Sequence, residues 1–518
     1  MNHRSLYRSV FILCLGLSAT ACLTPLEDVT EVDETRLAAD YAIPLVDSEV
    51  QLQELLGDVG AGVSFSIDPD GLIRFRYEGE VPAVGSDIIF QQLEDIARGI
   101  IIPLTRPRQG APFAGVDNIF IEELRVTGGA FFHSFPNPYT FPVSVTLRVP
   151  EATLNGEAFT VTGEIPAYSG TGEFPVFQNQ NDPIPLAGYT IAVPEDSLYL
   201  EYTIRGPGGE ELAIPDETVT AFVDLKFDYF LGYLGQNEYP GGRDTIAVDF
   251  FDNYLEGDIF FQDPKIIMTL FNTFGVPARA QVAVLSVIDV AGNVIPITGP
   301  AVENGFDFDT PSQIGDTAVT TFVFDNSNSN IAEVLSARPV ALDYEVNALV
   351  NPEADQSIIG FVTDTSAYRA EVEVELPLYG NANDFTVRDT FPIDLFERFE
   401  EVTAVDFRLT TRNGLPLAID LTGTFLDAEG NAVADLTDGE LSLLRAAPVD
   451  AAGDATGTTD LTQDILFTEE RLAAIRAADR LVIALEISST DEGVPLVRVT
   501  DRQTLRLLLG AVVSVRQP

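Results

Sequence analysis

A nine-residue block that occurs twice constrains the fold of this chain more than any other feature. Residues 388–396 read Arg-Asp-Thr-Phe-Pro-Ile-Asp-Leu-Phe, and residues 243–251 read Arg-Asp-Thr-Ile-Ala-Val-Asp-Phe-Phe, 145 positions earlier (389 − 244). Each copy is followed by a Gly-apolar-Pro triplet, at 275–277 and at 414–416. Two long segments that repeat the same signals in the same order are typical of tandem copies of one domain.

A unit made of a proline, an alternating strand and a glycine turn occurs three times, at 142–156, 277–292 and 416–430. The interval from proline to glycine is nearly the same in all three units, and successive prolines are also nearly evenly spaced, 135 (277 − 142) and 139 (416 − 277) positions apart. The first unit lacks the Arg-Asp-Thr block that precedes the other two. The near-constant spacing predicts three copies of one domain.

Strict alternation of apolar and polar residues indicates antiparallel strands in each copy. The clearest run is 143–149, Val-Ser-Val-Thr-Leu-Arg-Val. In the second and third copies a short helix is predicted later on, with Asn330 and Thr468 as the N-cap residues. The alternation returns after each helix, so the chain is predicted to be mainly β, as tandem antiparallel β-sandwich domains that each contain a short helix.

The region before the first copy is predicted to form a separate N-terminal β module with a short helix. Asp47 or Ser48 is the expected N-cap of a helical turn that ends at Gly57. Residues 63–67 and 72–77 alternate on either side of an Asp-Pro-Asp-Gly turn, which predicts a hairpin. At the other end of the chain, the apolar run 505–515 is too short to span a bilayer and is predicted to be the closing strand.

The first unit resembles the water-stress LEA-2 type of β-sandwich. The likeness rests on the Asn-Pro-Tyr run 137–139 and the Asn-Gly turn at 155–156. The second and third copies carry no Asn-Pro dipeptide at the corresponding position, just before the alternating strand. The resemblance implies that each repeat is an immunoglobulin-like or LEA-2-like sandwich.

The N-terminus carries the features of an export signal. Arg4 and Arg8 precede an apolar run that is too short to cross a bilayer, and small residues then lead to Cys22. This arrangement resembles the lipobox of bacterial lipoproteins, and the chain as a whole resembles surface or outer-membrane lipoproteins of the Bacteroidetes type. The resemblance implies cleavage before Cys22 and acylation of that cysteine. It also implies a protein anchored in the outer membrane that faces either the periplasm or the outside of the cell. The alternative is an ordinary secretory signal in which Cys22 has no special role.

These signals together predict six segments: a signal peptide (1–21), an acidic tether (22–36), the N-terminal β module (37–110), and three β-sandwich repeats (111–224, 225–371 and 372–518).

The charge of the chain excludes several kinds of partner. Asp and Glu total 80 and Lys and Arg total 29, which gives a net charge of −51. Nucleic acid is a polyanion that proteins bind largely through Lys and Arg, so we expect no nucleic-acid partner. Anionic lipid headgroups are disfavoured for the same reason. We therefore expect the membrane to be reached through the lipid anchor.

The sequence contains no recognisable catalytic constellation. His133 is the one histidine downstream of the signal peptide, so Ser-His-Asp triads and His-rich zinc sites lack partners. We expect His133 to be a structural or a surface residue. Asp244-Thr245 and Asp389-Thr390 are better explained as local structure, because Asp at the start of an apolar run accepts backbone N–H bonds and fixes a turn. Arg243 and Arg388 would then be the neighbouring countercharges.

Calcium and glycans are the two ligands that the sequence allows. Acidic loops offer the hard oxygen ligands that calcium prefers, although none of them fits the EF-hand spacing. The candidate calcium ligands are Asp307, Asp309, Asp325, Asn326 and Asn328, and ordinary polar turns are the alternative explanation. The aromatic runs 229–233 and 239–242 could stack on sugars, or their rings could belong to a core.

The sequence therefore predicts a non-catalytic, lipid-anchored envelope protein that acts as a scaffold, a spacer or an accessory subunit of an outer-membrane complex. The alternative is a surface protein that binds glycans or mediates calcium-dependent adhesion. A carboxylate-dependent hydrolase is a more distant alternative, because it needs two acids facing each other in one cleft.

Overall fold

The computed structural model of the chain describes residues 39–51, 63–112, 119–194, 197–251, 253–393 and 402–515. The N-terminal segment contributes β1 (Ala39–Gln51), β2 (Val63–Ile67), β3 (Ile73–Gly85), helix α1 (Asp87–Ile96), β4 (Gly99–Pro103) and β5 (Arg108–Pro112). The next part contributes β6 (Phe120–Pro136), β7 (Val143–Leu154), β8 (Glu157–Ile165), β9 (Val176–Gln178), β10 (Ile184–Pro185), β11 (Thr190–Ala192), β12 (Ser197–Arg205) and β13 (Val219–Tyr233).

The middle of the chain contributes β14 (Asn237–Tyr239), β15 (Arg243–Ala247), a 3-10 turn (Asp249–Phe251), β16 (Tyr254–Phe261), β17 (Lys265–Asn272), β18 (Ala278–Asp289), β19 (Val294–Pro296), helix α2 (Pro300–Asn304), β20 (Phe306–Phe308), β21 (Ala318–Phe324), helix α3 (Ile331–Ser336), β22 (Pro339–Val350), β23 (Gly360–Thr363) and β24 (Ala367–Pro377). The last part contributes β25 (Tyr379–Pro392), β26 (Val402–Asn413), β27 (Leu417–Leu426), β28 (Ala432–Asp435), β29 (Leu441–Leu444), β30 (Thr459–Phe467), helix α4 (Glu469–Ile475), β31 (Arg480–Ser489), β32 (Val497–Arg498) and β33 (Thr504–Val515).

The strand pairings build one arrangement three times, and we name the three copies modules 1, 2 and 3. Each module has a sheet A and a sheet B of four principal strands. In module 1 sheet A runs β4-β13-β6-β9 and sheet B runs β5-β12-β7-β8, and the two are joined into one continuous sheet by β11, which pairs with both β6 and β7. In module 2 sheet A runs β3-β24-β17-β21 and sheet B runs β15-β22-β18-β19. In module 3 sheet A runs β1-β33-β26-β30 and sheet B runs β25-β31-β27-β28.

All of these pairings are antiparallel, so the predicted mainly-β, sandwich-type fold is confirmed. The three alternating runs found in the sequence lie in β7, β18 and β27, and each of these is the third strand of its sheet B. In β7 the side chains of Val143, Val145, Leu147 and Val149 are at most 2% exposed, whereas the intervening side chains face solvent. Burying one such side chain stabilises the fold by roughly 1.5–3 kcal/mol.

The N-terminal segment does not form a sheet of its own among the described residues, in contrast to the predicted module 37–110. Its strands are distributed instead: β1 pairs with β33 in sheet A of module 3, β4 pairs with β13 in sheet A of module 1, and β3 pairs with β24 in sheet A of module 2, where β2 is the edge strand. The helical turn predicted after Asp47 or Ser48 is also wrong for the described part, because both residues lie in β1. Pairing with β33 overrides the local capping signal, and the rest of that predicted turn lies outside the described residues.

The other local predictions give mixed results. The hairpin is confirmed as β2 and β3, with Gly71 at a φ of +95° in its turn, and β33 is the predicted closing strand. The Oγ1 atom of Thr468 accepts a hydrogen bond from the N–H of Arg471 at 3.3 Å, as expected of an N-cap. Asn330 precedes α3 without capping it, because its Oδ1 accepts from the N–H of Thr298 at 2.7 Å. The described residues of 111–224 contribute no α-helix.

The predicted domain boundaries fall inside strands. The boundary at 110/111 lies in β5, that at 224/225 in β13 and that at 371/372 in β24. β5 occupies the sheet B position that the Arg-Asp-Thr strands occupy in the other modules, so the first copy has its counterpart of that block at Arg108. The interval from Arg108 to Arg243 (243 − 108) equals the interval between the first two prolines (277 − 142).

Replacing residues 39–51 by a Gly-Ser run of the same length should loosen module 3 and leave module 1 intact. The reason is that β33 would lose its partner over the whole length of β1 and become an unprotected edge. Amide hydrogen exchange should become faster in β33 and β26, while β6 and β13 keep their protection. Unchanged exchange in β33 would show that β1 contributes nothing to module 3.

Candidate functional site

Three fully buried asparagines, Asn137, Asn272 and Asn413, are the most regular polar feature of the structure. Each is 0% exposed, and each lies at or just after the end of the third strand of sheet A in its module. Their Oδ1 atoms accept hydrogen bonds from the N–H two residues ahead, at 2.9, 2.8 and 2.9 Å respectively. This is the Asx-turn geometry in which an asparagine side chain replaces a backbone turn partner.

The amide nitrogens of these asparagines donate to backbone carbonyls, and so connect the end of the sheet A strand to neighbouring segments of the chain. The Nδ2 atom of Asn413 donates to the carbonyl oxygens of Leu415, Leu417 and Arg445 at 3.1, 2.8 and 2.8 Å. Asn137 donates to three carbonyl oxygens in the same way, and Asn272 donates to the carbonyl of Asp309 at 3.0 Å. We name this arrangement the asparagine clamp. Its bonds are satisfied by the backbone, so it serves the fold.

The clamp was not predicted from the sequence, because Asn137 is followed by a proline whereas Asn272 and Asn413 are not. A signal was nevertheless available. The intervals from Asn137 to Asn272 (272 − 137 = 135) and from Asn272 to Asn413 (413 − 272 = 141) are close to the spacing of the prolines.

Replacing Asn413 by Ala should destabilise module 3 by about 3 kcal/mol or more, because it leaves a buried N–H and three carbonyl groups short of partners. Asn431→Ala is the matched control, since the Asn431 side chain bonds to Asp427 at the exposed surface and its loss should cost well under about 1 kcal/mol. Urea unfolding of both variants checks the difference. Equal stabilities would contradict a structural role for the clamp.

His133 is buried in an aromatic cage. It is 4% exposed, and its ring centroid lies 6.2 Å from that of Phe131, 4.9 Å from that of Phe135 and 4.6 Å from that of Phe177. Neither ring nitrogen has a hydrogen-bond partner within the described part of the chain. Burial lowers the pKa of His133 to about 4, so the neutral ring is packed as an apolar group. The residue packs as a structural one, since among the described residues neither ring nitrogen bonds the nucleophile or the carboxylate that a triad requires.

The folded state should lose stability in acid through His133. Its pKa is about 6.5 in an unfolded chain and about 4 in the fold, so the unfolded state binds the proton first. The stabilisation is complete above pH 6.5 and is lost as the pH falls from 6.5 to 4. Relative to His133→Phe, the wild type should lose on the order of 2 kcal/mol between pH 7.5 and 4.5, measured as paired unfolding free energies. The pairing cancels the effect of the carboxylates that both proteins share, and a pH-independent difference would contradict the assignment.

The Arg-Asp-Thr blocks lie in strands rather than in turns. Asp244 and Asp389 each accept a hydrogen bond from the N–H of the following threonine, at 2.8 and 2.7 Å, in keeping with the predicted local bonding. Arg243 pairs across the sheet with Asp343, at 2.9 and 2.5 Å, and not with the adjacent Asp244. This pair holds the pKa of Asp343 below its usual value and fastens β15 to β22.

The predicted calcium ligands divide between two places and have protein partners. Asp307 forms an ion pair with Arg279 at 2.6 Å, and the N–H of Asp309 donates to Thr320 Oγ1. Asp325 accepts from the N–H and the hydroxyl of Ser327, at 2.8 and 2.6 Å. The side-chain amides of Asn326 and Asn328 donate to the carbonyls of Gln262 and Val323, respectively.

Asp325 therefore lies in a self-bonded polar turn, the alternative that the sequence allowed. Within the described ranges, no group of three or more His, Cys, Asp or Glu side chains is placed to hold a metal ion. Calcium binding at these residues stays a prediction.

The aromatic runs that could have bound sugars are largely interior. Phe230 is 0% exposed, Tyr233 is 2% exposed and Tyr239 is 7% exposed, so these rings pack in the core. Burial raises the pKa of Tyr239 to about 12. Tyr229 is half-buried, and the guanidinium of Arg125 lies 5.6 Å from its ring centroid. These rings cannot form an open stacking platform for a glycan.

A shallow hollow lies between the end of β4 and the start of β13. It has a volume of about 390 Å³ and is lined by Pro103, Leu104, Thr105, Ile214, Pro215, Asp216, Glu217, Thr218 and Val219. Its two carboxylates are sequence neighbours and not two acids on opposite walls. This hollow therefore does not provide the facing pair that a glycosidase needs.

No family model matches the chain, and no curated protein matches it. Among solved structures, the chain is 12% identical to a candidate secreted protein from Parabacteroides distasonis, over 55% of this chain and 88% of that one, with a TM-score of 0.21. It is 9% identical to the infectious bursal disease virus Gx strain structure, over 84% and 78% of the two chains, with a TM-score of 0.14.

A third similar structure is the CBM22-1-CBM22-2 tandem domain of Xyn10C from Paenibacillus barcinonensis. It is 8% identical, over 55% of this chain and 95% of that one, with a TM-score of 0.13. Likenesses at these TM-scores carry no argument about fold or function. Within the described ranges, no helix combines the length and the apolar character needed to cross a membrane.

Proposed function

We propose that the chain is a non-catalytic protein of the cell envelope, held at the outer membrane by a lipid on Cys22, where its three modules act as a scaffold or accessory subunit. The observation that supports this proposal best is the asparagine clamp. The same buried amide recurs in all three modules, and its bonds are satisfied by backbone groups.

Other polar groups of the described chain also serve the fold. The buried His133 packs among phenylalanines, and Arg243 joins two strands. A catalytic site would instead need polar groups that converge on an open cleft and are not already hydrogen-bonded to the protein. A module that uses its polar groups for cohesion is suited to spacing and presentation.

The anchor is supported by the sequence alone. Small residues lead to Cys22, and Cys14 lies within the predicted signal peptide. A net charge of −51 disfavours attachment through anionic headgroups, so a covalent lipid is the physically consistent route to the membrane.

Cells that express Cys22→Ser should fail to incorporate a fatty-acid label into the protein and should release it from the membrane fraction. Cys14→Ser is the matched control, because that thiol belongs to the segment removed on export, and it should label like the wild type. Equal labelling of Cys22→Ser and wild type would disprove the anchor.

The scaffold role has its own measurement. Particles extracted from membranes in mild detergent should be larger than one mature chain plus its detergent shell and should contain a constant second component. Extraction as a monomer from native membranes would count against a role in a complex.

A further inference from the structure

We propose that the protein stands on the membrane in the reverse of its chain order, with module 3 nearest the bilayer and module 1 farthest from it. This inference rests on the lipid anchor at Cys22. It concerns which surface faces the lipid and which surface is presented to partners.

The strand that follows the tether, β1, belongs to module 3. Ala39 pairs with Val515 and Gln51 pairs with Thr504, so β1 lies along β33 from end to end. Even a fully extended chain between Cys22 and Ala39 reaches at most about 60 Å. A lipid on Cys22 therefore makes the Ala39 end of module 3 the part of the described chain that is tied to the bilayer.

The two ends of module 3 can be told apart by their strand register. Ala39 and Val402 both pair with Val515, so these residues mark one end of sheet A. The opposite end, which holds Asn413, continues into the contacts with module 2. Within module 3, the N–H of Gly414 donates to the carbonyl of Thr504 at 2.9 Å, which places the start of β33 beside Asn413 at this end.

Module 2 is held at that opposite end by the turn between β2 and β3. Leu72 bridges to Thr500, and the N–H of Ile73 donates to the carbonyl of Val499 at 3.2 Å. Arg498 adds an ion pair to Asp70 across the junction and is itself held within module 3 by Asp454 at 3.4 Å. The anchor end of module 3 is thus the end away from module 2.

The junction between modules 2 and 1 has the same polarity. Module 2 meets module 1 at its own clamp end, where the N–H of Gly275, three residues after Asn272, donates to the carbonyl of Phe361 at 2.9 Å. From there β23 extends sheet A of module 1, with Thr363 paired to Tyr229. The N–H of Asp364 also donates to the carbonyl of Asp228.

The far end of module 1 follows from the pairing of β13 with β6. These strands pair along their length, from Tyr233 with Phe120 to Val219 with Ser134. The contacts with module 2 lie at the Tyr233 end, so the end that contains Asn137 points away from module 2. The clamp ends of all three modules therefore point the same way, and the anchor and the Asn137 end lie at opposite extremities of the row.

The chain consequently runs out along the row through β1, β3 and β4 and returns through modules 1, 2 and 3. The surface held away from the bilayer is the Asn137 end of module 1, with Phe174 at 45% exposure and the hollow beside Pro103. Val515, near the end of the chain, is held next to the lipid.

The test uses the lipidated full-length protein with one fluorophore on an introduced cysteine. Thr171→Cys labels the far end of module 1, Thr317→Cys labels module 2 and Asp406→Cys labels the anchor end of module 3; all three side chains are exposed. The acylated Cys22 offers no competing thiol. Each protein is bound to phosphatidylcholine vesicles that carry an energy acceptor on a small fraction of headgroups.

Energy transfer should be greatest from position 406, lower from 317 and several-fold lower from 171 than from 406. The reverse order, or equal transfer from all three positions, would overturn the inference. Each label is repeated in a Cys22→Ser background, where transfer should vanish. If the lipidated proteins do not bind the vesicles at all, the anchor fails and not the order of the modules. Melting temperatures equal to that of the wild type confirm that the labelled variants are folded.

Discussion

Completing sheet A of each module with a strand from the N-terminal segment is the constraint on which the rest of this structure depends. An unpaired edge strand is a template for aggregation, and sheet A of each module is completed by a strand that precedes the module in the chain. The most distant pairing joins Ala39 to Val515, the first and the last of the described residues. Such a pairing closes a loop of nearly the whole chain, so we expect module 3 to complete its sheet late in folding. The same pairing makes the modules depend on one another, although each repeats a local plan.

The repeated plan explains what could be read from the sequence. Alternation in 143–149 placed β7, and the Asp-Pro-Asp-Gly turn placed the β2-β3 hairpin, because both signals act over a few residues. The Thr468 cap was readable for the same reason. The local predictions that failed are those decided by residues far away in the sequence. Asp47 and Ser48 look like caps locally, and only β33 makes them part of a strand. A repeat search that started from Arg108, one proline interval before Arg243, would have corrected the first boundary.

The candidate site was harder to predict, because its residues do not differ in kind from ordinary polar residues. Asn413 gives no local sign that it is fully buried, and its three carbonyl partners come from two separate loops. Periodicity was the available signal, since clamp residues recur near the spacing of the prolines. The sequence alone did not decide whether His133 is buried or exposed. Its two neighbours in β6 are half-buried in the structure. Burial was decided by Phe177 from another strand.

Ion pairs add to the bonding between the strands and between the modules. Basic residues are outnumbered, with 29 Lys and Arg against 80 Asp and Glu, and several arginines join two strands or two modules. Arg76 binds Glu375 at 2.6 Å between β3 and β24, and the Glu375 side chain is 6% exposed. The Arg76 side chain is 35% exposed, so the pair is only partly buried, but losing Arg76 would take the nearest countercharge from a buried carboxylate and should cost more than losing a fully exposed pair. The donated strand β3 is thereby fixed in module 2 by charge as well as by backbone bonds. β1 has a weaker hold, since its described side chains are at most half-buried and its Asp47–Arg506 pair is exposed. β1 is therefore less firmly held than β3, and if the chain is anchored at Cys22 as proposed, a pull on the anchor acts on β1 first.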